Sequence, residues 1–231
     1  MEQENPSAKI QSNYQSIQSN ITNAKSQNSI TRDIIFIAVS KRRSPDLIQH
    51  VYNCGHRQFG ENYVAELLEK HAALPKDIEW RLIGHLQTNK IKKLLETIPN
   101  IIIESVDSVK LALELQKQAL KLGISNLRVY VEINISNSST KTGADLNVID
   151  DIVKTIIEQC PNLKLIGIMS LGNIGNKEEF KRMVEIKNKY CEMYKLDKEG
   201  FIASFGTSDD YVNAIECGSD EVRVGSSIFA M

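Results

Sequence analysis

Eight short runs of apolar and β-branched residues, each separated from the next by a stretch with helical spacing, constrain this chain more than any other feature. They are Ile34–Ser40, Arg57–Gly60, Trp80–Gly84, Ile101–Glu104, Arg128–Ile135, Leu163–Ser170, Phe201–Gly206 and Glu221–Ile228. Most show little polar alternation, as strands do when both faces are covered. Val109–Leu122 shows the intervening pattern well: Leu111, Leu115 and Ala119 recur every four residues, while Lys110, Lys117 and Lys121 take polar positions. Gly55, Gly123, Gly200 and Gly218 stand where helices are expected to end, a place where glycine tolerates the left-handed conformation. Ser44-Pro45 and Ser208-Asp209-Asp210 mark the starts of the first and last inter-strand helices.

Strict β–α alternation over about 200 residues predicts a single α/β domain, a (β/α)8 barrel of the TIM type, which ordinarily takes about 250. The eighth run ends too near residue 231 to be followed by its own helix. The missing helix is therefore expected at Ser7–Gln27, where Ile10, Tyr14, Ile17 and Ile21 space as one apolar face. That gives an N-terminal helical arm over residues 1–30 and a barrel over residues 31–231, one domain overall. An open doubly wound sheet is the alternative, but neither a GxGxxG fingerprint nor a P-loop supports it.

Charge excludes some partners. Lys+Arg 28 against Asp+Glu 29 leaves a net charge of -1, so no global field recruits nucleic acid or an anionic membrane. The opening MEQENPSAK is polar, and the first apolar stretch, Ile34–Val39, is far too short to span a bilayer. Cys54, Cys160, Cys191 and Cys217 form no CxxC pair, which argues against a zinc ribbon or a disulfide scaffold. The expectation is a cytoplasmic protein with neither a nucleic-acid nor a membrane partner, and a closed barrel with no long exposed apolar helix face permits a monomer.

In a barrel, residues just past the carboxyl end of each strand converge on one mouth. Lys41 closes the first apolar run and is a candidate for Schiff-base chemistry, which needs a neutral amine. A solvated basic turn, KRR, is its alternative reading. Lys141, in the polar loop SNSSTKTG, is the weaker rival. Arg223 lies between valines in EVRVGSS and cannot shed its charge, so a salt bridge to Glu61 or Glu132 is one expectation. Gly206, Ser208, Gly225 and Ser226 fall in the turns after runs seven and eight, where barrels commonly bind phosphate. Ordinary helix capping by Ser208 is the alternative. His85 has no second ligand at metal spacing, so no zinc site is expected. No GxSxG elbow supports acyl transfer.

Taken together, IAVSK at Ile37–Lys41, FGENYVAEL at Phe59–Leu67, the Trp80–Lys90 segment ending in LIGHLQTNK, GIMS at Gly167–Ser170, SFGTSDD at Ser204–Asp210 and VRVGSSIF at Val222–Phe229 resemble the pyridoxal phosphate homeostasis proteins. These are single-domain relatives of the alanine racemase barrel. The resemblance spans roughly residues 30 to 229. It departs at Thr207, where the family usually has methionine, and at Ala230, where it commonly has glycine. It implies that pyridoxal 5′-phosphate (PLP) is the cofactor, with Lys41 forming the internal aldimine and Arg223 facing the pyridine nitrogen. Ser208, Gly225 and Ser226 would hold the phosphate, and Asn62 would line the cofactor near its hydroxyl. His85 and Met169 are the remaining candidates for cofactor contact, and no residue is assigned to catalysis or to a metal.

The implied role is intracellular PLP and vitamin B6 homeostasis by reversible holding of the cofactor, with PLP-dependent apo-enzymes as recipients. A single-domain amino-acid racemase is the enzymic alternative, and a barrel for another phosphorylated metabolite is a third reading. A ring nitrogen facing arginine receives no proton from it, which makes the ring a poor electron sink. The second base that such racemases take from a further β domain is not expected here, leaving Tyr63 and Tyr211 as stand-ins.

Overall fold

The computed structural model describes residues 6–230. Its strands are β1 (Ile35–Val39), β2 (Gln58–Glu61), β3 (Glu79–Leu82), β4 (Ile102–Val106), β5 (Leu127–Glu132), β6 (Leu163–Met169), β7 (Ile202–Ser204) and β8 (Glu221–Val224). All pair in parallel and in sequence order, and β8 returns to β1 in a register running from Ile35↔Glu221 to Ala38↔Val224, which closes the barrel. The helices are α1 (Pro6–Gln27), α2 (Pro45–Asn53), α3 (Val64–Ala73), α4 (Thr88–Thr97), α5 (Val109–Lys121), α6 (Ile149–Gln159), α7 (Lys177–Tyr194) and α8 (Tyr211–Glu216). The (β/α)8 barrel expected from the alternation is the fold the chain adopts.

Helix α1 packs against both α2 and α8, in the gap where an eighth helix after β8 would sit. It buries Ile10, Tyr14, Ile17, Ile21 and Ala24. Asn13 Nδ2 donates to the carbonyls of Ile228 and Ala230 at 3.0 Å each, and Asn20 Nδ2 donates to Tyr211 Oη at 2.9 Å. These bonds pin the end of the chain to the helix that closes the ring. The first five residues of the expected arm lie outside the described residues.

Side chains alternate between two environments because strand residues point to opposite faces. Phe59, Trp80, Leu82, Val129, Val222 and Val224 belong to the main apolar core shared with the helices. The barrel interior is different. There Ile102, Tyr130 and Met169 form a small separate cluster, and Arg81, Glu104 and Glu221 meet nearby.

Two local expectations are corrected. Gly55, Gly123 and Gly218 adopt φ of 92°, 69° and 106°, but Gly200 does not end a helix. Helix α7 ends earlier, at Tyr194, and Lys195 takes the left-handed position with φ 53°. Ser208 does not cap α8; Asp210 occupies that position, and the Ser208 hydroxyl is engaged elsewhere.

His56, between α2 and β2, is buried among Tyr14, Phe36 and Phe59. Its Nδ1 lies 3.3 Å from Tyr14 Oη, and its Nε2 lies 2.7 Å from the Gln58 carbonyl oxygen. Burial lowers its pKa from 6.5 to about 4. The folded value is therefore below the unfolded one, so stability present above about pH 6.5 is lost as pH falls toward 4. The expected loss is about 3 kcal/mol. Urea unfolding of the native protein and of His56→Gln across this range isolates the term, because the other groups titrate in both. Parallel pH profiles would remove His56 as the cause.

Candidate functional site

Residues at the carboxyl ends of β1, β2 and β8 and the loops after β6 and β7 enclose a cavity of ≈ 200 Å³. Val39, Ile83 and Leu171 supply apolar wall, and Lys41, Asn62 and Arg223 supply polar groups. Ser208, Gly225 and Ser226 also line it, together with Thr207 and Asp209. Lys41 follows β1 after Ser40, in a turn where Arg42 takes φ 59°. It is exposed, and among the described residues it has neither a hydrogen-bond nor an ion-pair partner.

Arg223 is buried, with 3% of its surface exposed, yet the expected salt bridge to Glu61 or Glu132 is not formed. Glu61 instead pairs with Lys70 of α3 at 2.7 Å and accepts from Ser40 Oγ at 2.6 Å, which draws it toward the helix layer. Glu132 accepts from Thr142 Oγ1 at 2.5 Å, and burial raises its pKa above the ordinary carboxylate range. Arg223 is held by neutral acceptors: Nη1 donates to Ser204 Oγ, and Nη2 donates to the Ser170 carbonyl at 2.7 Å. Its positive charge therefore lines the cavity without a carboxylate in contact.

The turns after β7 and β8 are tied to each other. Ser208 Oγ accepts from the N–H of Gly225 at 3.0 Å and from that of Ser227 at 3.5 Å. Asp210 fixes the first turn by accepting from Thr207 N at 2.7 Å and from Gly175 N at 2.9 Å. Glycine at 225 has a packing reason, since a Cβ there would come within 2.9 Å of the Val39 carbonyl oxygen. The result is that Ser208, Gly225 and Ser226 are held together on the cavity lining, which also carries a lysine amine and a guanidinium.

Six of the sequence candidates are thus brought together: Lys41, Asn62, Ser208, Arg223, Gly225 and Ser226. His85 and Met169 are not on this lining. His85 is exposed, lies 3.4 Å from Asp107, and lines an adjacent hollow that shares Asn62 with the cavity. Met169 is fully buried in the interior cluster. The rival Lys141 donates to Asn173 Oδ1 at 2.8 Å. Tyr63 lines the adjacent hollow, and Tyr211 receives its bond from α1, so neither reaches Lys41 through this cavity. Ser170 and Ser204 lie in the GIMS and SFGTSDD segments, but their role of holding Arg223 was missed; the available signal was a serine closing an otherwise apolar strand. Among the described residues, no group of three His, Cys, Asp or Glu side chains could hold a metal ion.

Comparison with known proteins agrees with this architecture. The family described as "Alanine racemase, N-terminal domain" matches residues 9–231. The pyridoxal phosphate homeostasis protein of Mus musculus is 39% identical over 207 residues, covering 84% of this chain and 75% of the mouse protein. The protein of that name from Helicobacter pylori is 39% identical over 197 residues, covering 84% and 86%. Among solved structures, PipY of Synechococcus elongatus with PLP bound superposes with a TM-score of 0.74 at 26% identity, covering 96% of this chain and all of that one. Sequence and fold together place the chain in the family of pyridoxal phosphate homeostasis proteins, on the barrel of the alanine racemase N-terminal domain.

Proposed function

We propose that this protein binds PLP at the carboxyl mouth of its barrel and holds it reversibly for intracellular vitamin B6 homeostasis, without turning over a substrate. The observation that carries the reading is the convergence of an unpaired Lys41, a carboxylate-free Arg223 and the Ser208–Gly225–Ser226 turns on one cavity. An unsatisfied atom fits the same group. Asn62 Oδ1, on the cavity lining, is buried without a partner, although buried polar atoms nearly always have one.

When bound, PLP supplies a carbonyl that condenses reversibly with amines and a ring able to withdraw electrons. Lys41 would offer the amine, and the turns after β7 and β8 would bind the phosphate through hydroxyls and backbone N–H groups. Asn62 would meet the ring hydroxyl. Arg223, held by Ser204 and Ser170, would face the ring nitrogen and donate to it without transferring a proton. That arrangement favours holding over carbanion chemistry. No tyrosine or histidine is on the described lining to act as a second base.

A binder of this kind is expected to act as a cytoplasmic monomer that hands PLP to apo-enzymes. Among the described residues, no helix is long and apolar enough to cross a membrane. Absorbance spectra with PLP, before and after borohydride, followed by peptide mapping, test the assignment. A visible band converted to a stable label on Lys41 supports it, whereas label scattered over surface lysines rejects it. Amino-acid turnover at about 1 per second or faster would reject the non-enzymic part. Ser208→Ala is expected to weaken PLP binding about fivefold, the worth of roughly one hydrogen bond, while leaving the band position unchanged. Fluorescence titration checks this.

A further inference from the structure

The cavity at Lys41 does not end at its own walls. Asn62 is shared with a second hollow of ≈ 410 Å³, which also takes in Tyr63, His85 and Lys90. Gln87 and Lys90 line that hollow, while Thr88 and Asn89, between them in the chain, line a third. The third depression, of ≈ 750 Å³, lies against α4 and α5 and includes Val109, Lys110 and Leu113. The second hollow therefore adjoins the Lys41 cavity at Asn62, and the second and third form a trough on either side of the start of α4.

Its chemistry is uneven in a useful way. Tyr63 is 45% exposed and Leu113 is 42% exposed, large apolar surfaces with no chain laid over them. The cations differ in how they are matched. Lys117 pairs with Glu114 at 3.0 Å. Lys90 and Lys110 are exposed and have no ion pair among the described residues. On the linings of the two outer hollows the one acidic side chain, Glu114, is already paired with Lys117, and two lysines are left over. On a chain of net charge -1, this is a local cationic excess beside apolar contacts.

We propose that this trough is the docking surface for an acidic, apolar-bearing segment of the protein that receives PLP. The inference rests on the proposed PLP-holding function and adds the face and chemistry of the recipient. Apolar residues of the segment would cover Tyr63 and Leu113, its carboxylates would meet Lys90 and Lys110, and its lysine would approach Lys41 through the wall at Asn62. In the exchange, the recipient's lysine nitrogen forms a bond to the cofactor carbon as the bond from that carbon to Lys41 Nζ breaks. Two protons pass from the incoming neutral amine to the departing nitrogen, so an imine and an amine give an imine and an amine, and neither water nor an oxidant is consumed. Docked charges also steer encounter, which makes the association rate sensitive to salt.

The test uses the full-length protein loaded with PLP and two apo PLP-dependent enzymes, one with an acidic surface and one with a basic surface. Transfer is followed by the loss of the donor's band, and release into buffer is measured separately with a phosphatase that destroys free PLP. The expected result is a transfer rate that rises with the concentration of the acidic acceptor and falls with salt. In Lys90→Glu/Lys110→Glu it should fall about tenfold, with unchanged release into buffer. Transfer at the buffer-release rate, independent of acceptor concentration, would overturn the docking surface; so would equal service of the basic acceptor. Competition by DNA or anionic vesicles at equal charge would assign the trough to a generic polyanion and also overturn it. If the protein acquires no band from PLP at all, the proposed function has failed, an outcome visible before any acceptor is added.

Discussion

Replacing Lys41 with alanine is expected to abolish both the visible band and the borohydride-stable label while leaving the protein folded. The side chain is exposed, lies in the turn after β1 and has no partner among the described residues, so its removal should change stability by no more than about 0.5 kcal/mol. Its proposed contribution is entirely to the ligand. Loss of the covalent link should raise the dissociation constant for PLP at least about a hundredfold, equivalent to about 3 kcal/mol. The residual affinity would come from Arg223, Ser208 and the backbone of the β8 turn. Lys41→Arg separates charge from nucleophilicity: it keeps the cation but offers no condensing amine, and it should behave like alanine in the label and slightly better in affinity. Spectra, mass-mapped label and thermal melts on the three proteins decide the matter. An undiminished label in Lys41→Ala would show that another lysine, with Lys141 the nearest rival by sequence, carries the cofactor.

The barrel was legible because its outward-facing strand residues and helix stripes obey the two simple periods of secondary structure. Phe59, Leu82, Val129 and Val222 reveal strands, while Leu111, Leu115 and Ala119 reveal a helix. The Lys41 cavity was legible for a different reason: closure brings strand ends together, so residues far apart in sequence can be assigned to one mouth. The partners of Arg223 were not legible. Choosing among Glu61, Glu132, Ser204 and Ser170 depends on the direction and reach of side chains, and Lys70 of α3 takes Glu61 away. The hidden charge inside the barrel was harder still. Arg81 and Glu104 occur within or at the edge of apolar runs, and Glu221 begins one, so each could pass for a solvated strand end. Only the barrel closure shows that these three meet.

That meeting makes Arg81→Met the substitution with the largest expected cost to stability. Arg81 Nη1 donates to Glu221 Oε2 at 2.6 Å, Glu104 Oε1 at 3.1 Å and Tyr130 Oη at 3.2 Å. Methionine keeps much of the apolar stem but leaves two fully buried carboxyls without their shared cation, which should cost about 3–5 kcal/mol. The pH dependence separates lost charge from lost packing. Burial, reinforced by Glu221, already holds Glu104 above the ordinary carboxylate range against the opposing pull of Arg81 and Arg223. Its folded pKa lies above its unfolded value, so the associated stability is complete below the unfolded value and is lost as pH rises through the folded one. Without Arg81 the folded pKa rises further. The deficit of Arg81→Met should therefore shrink toward about pH 5.5 and grow toward about pH 8.5. Urea midpoints of both proteins measure that difference, in which the His56 contribution cancels. Adding Glu104→Gln to Arg81→Met should recover part of the loss at the higher pH by removing the cost of keeping that carboxyl protonated. A deficit equal at both pH values, unaltered by Glu104→Gln, would locate the cost in packing around Tyr130 rather than in the buried carboxyls.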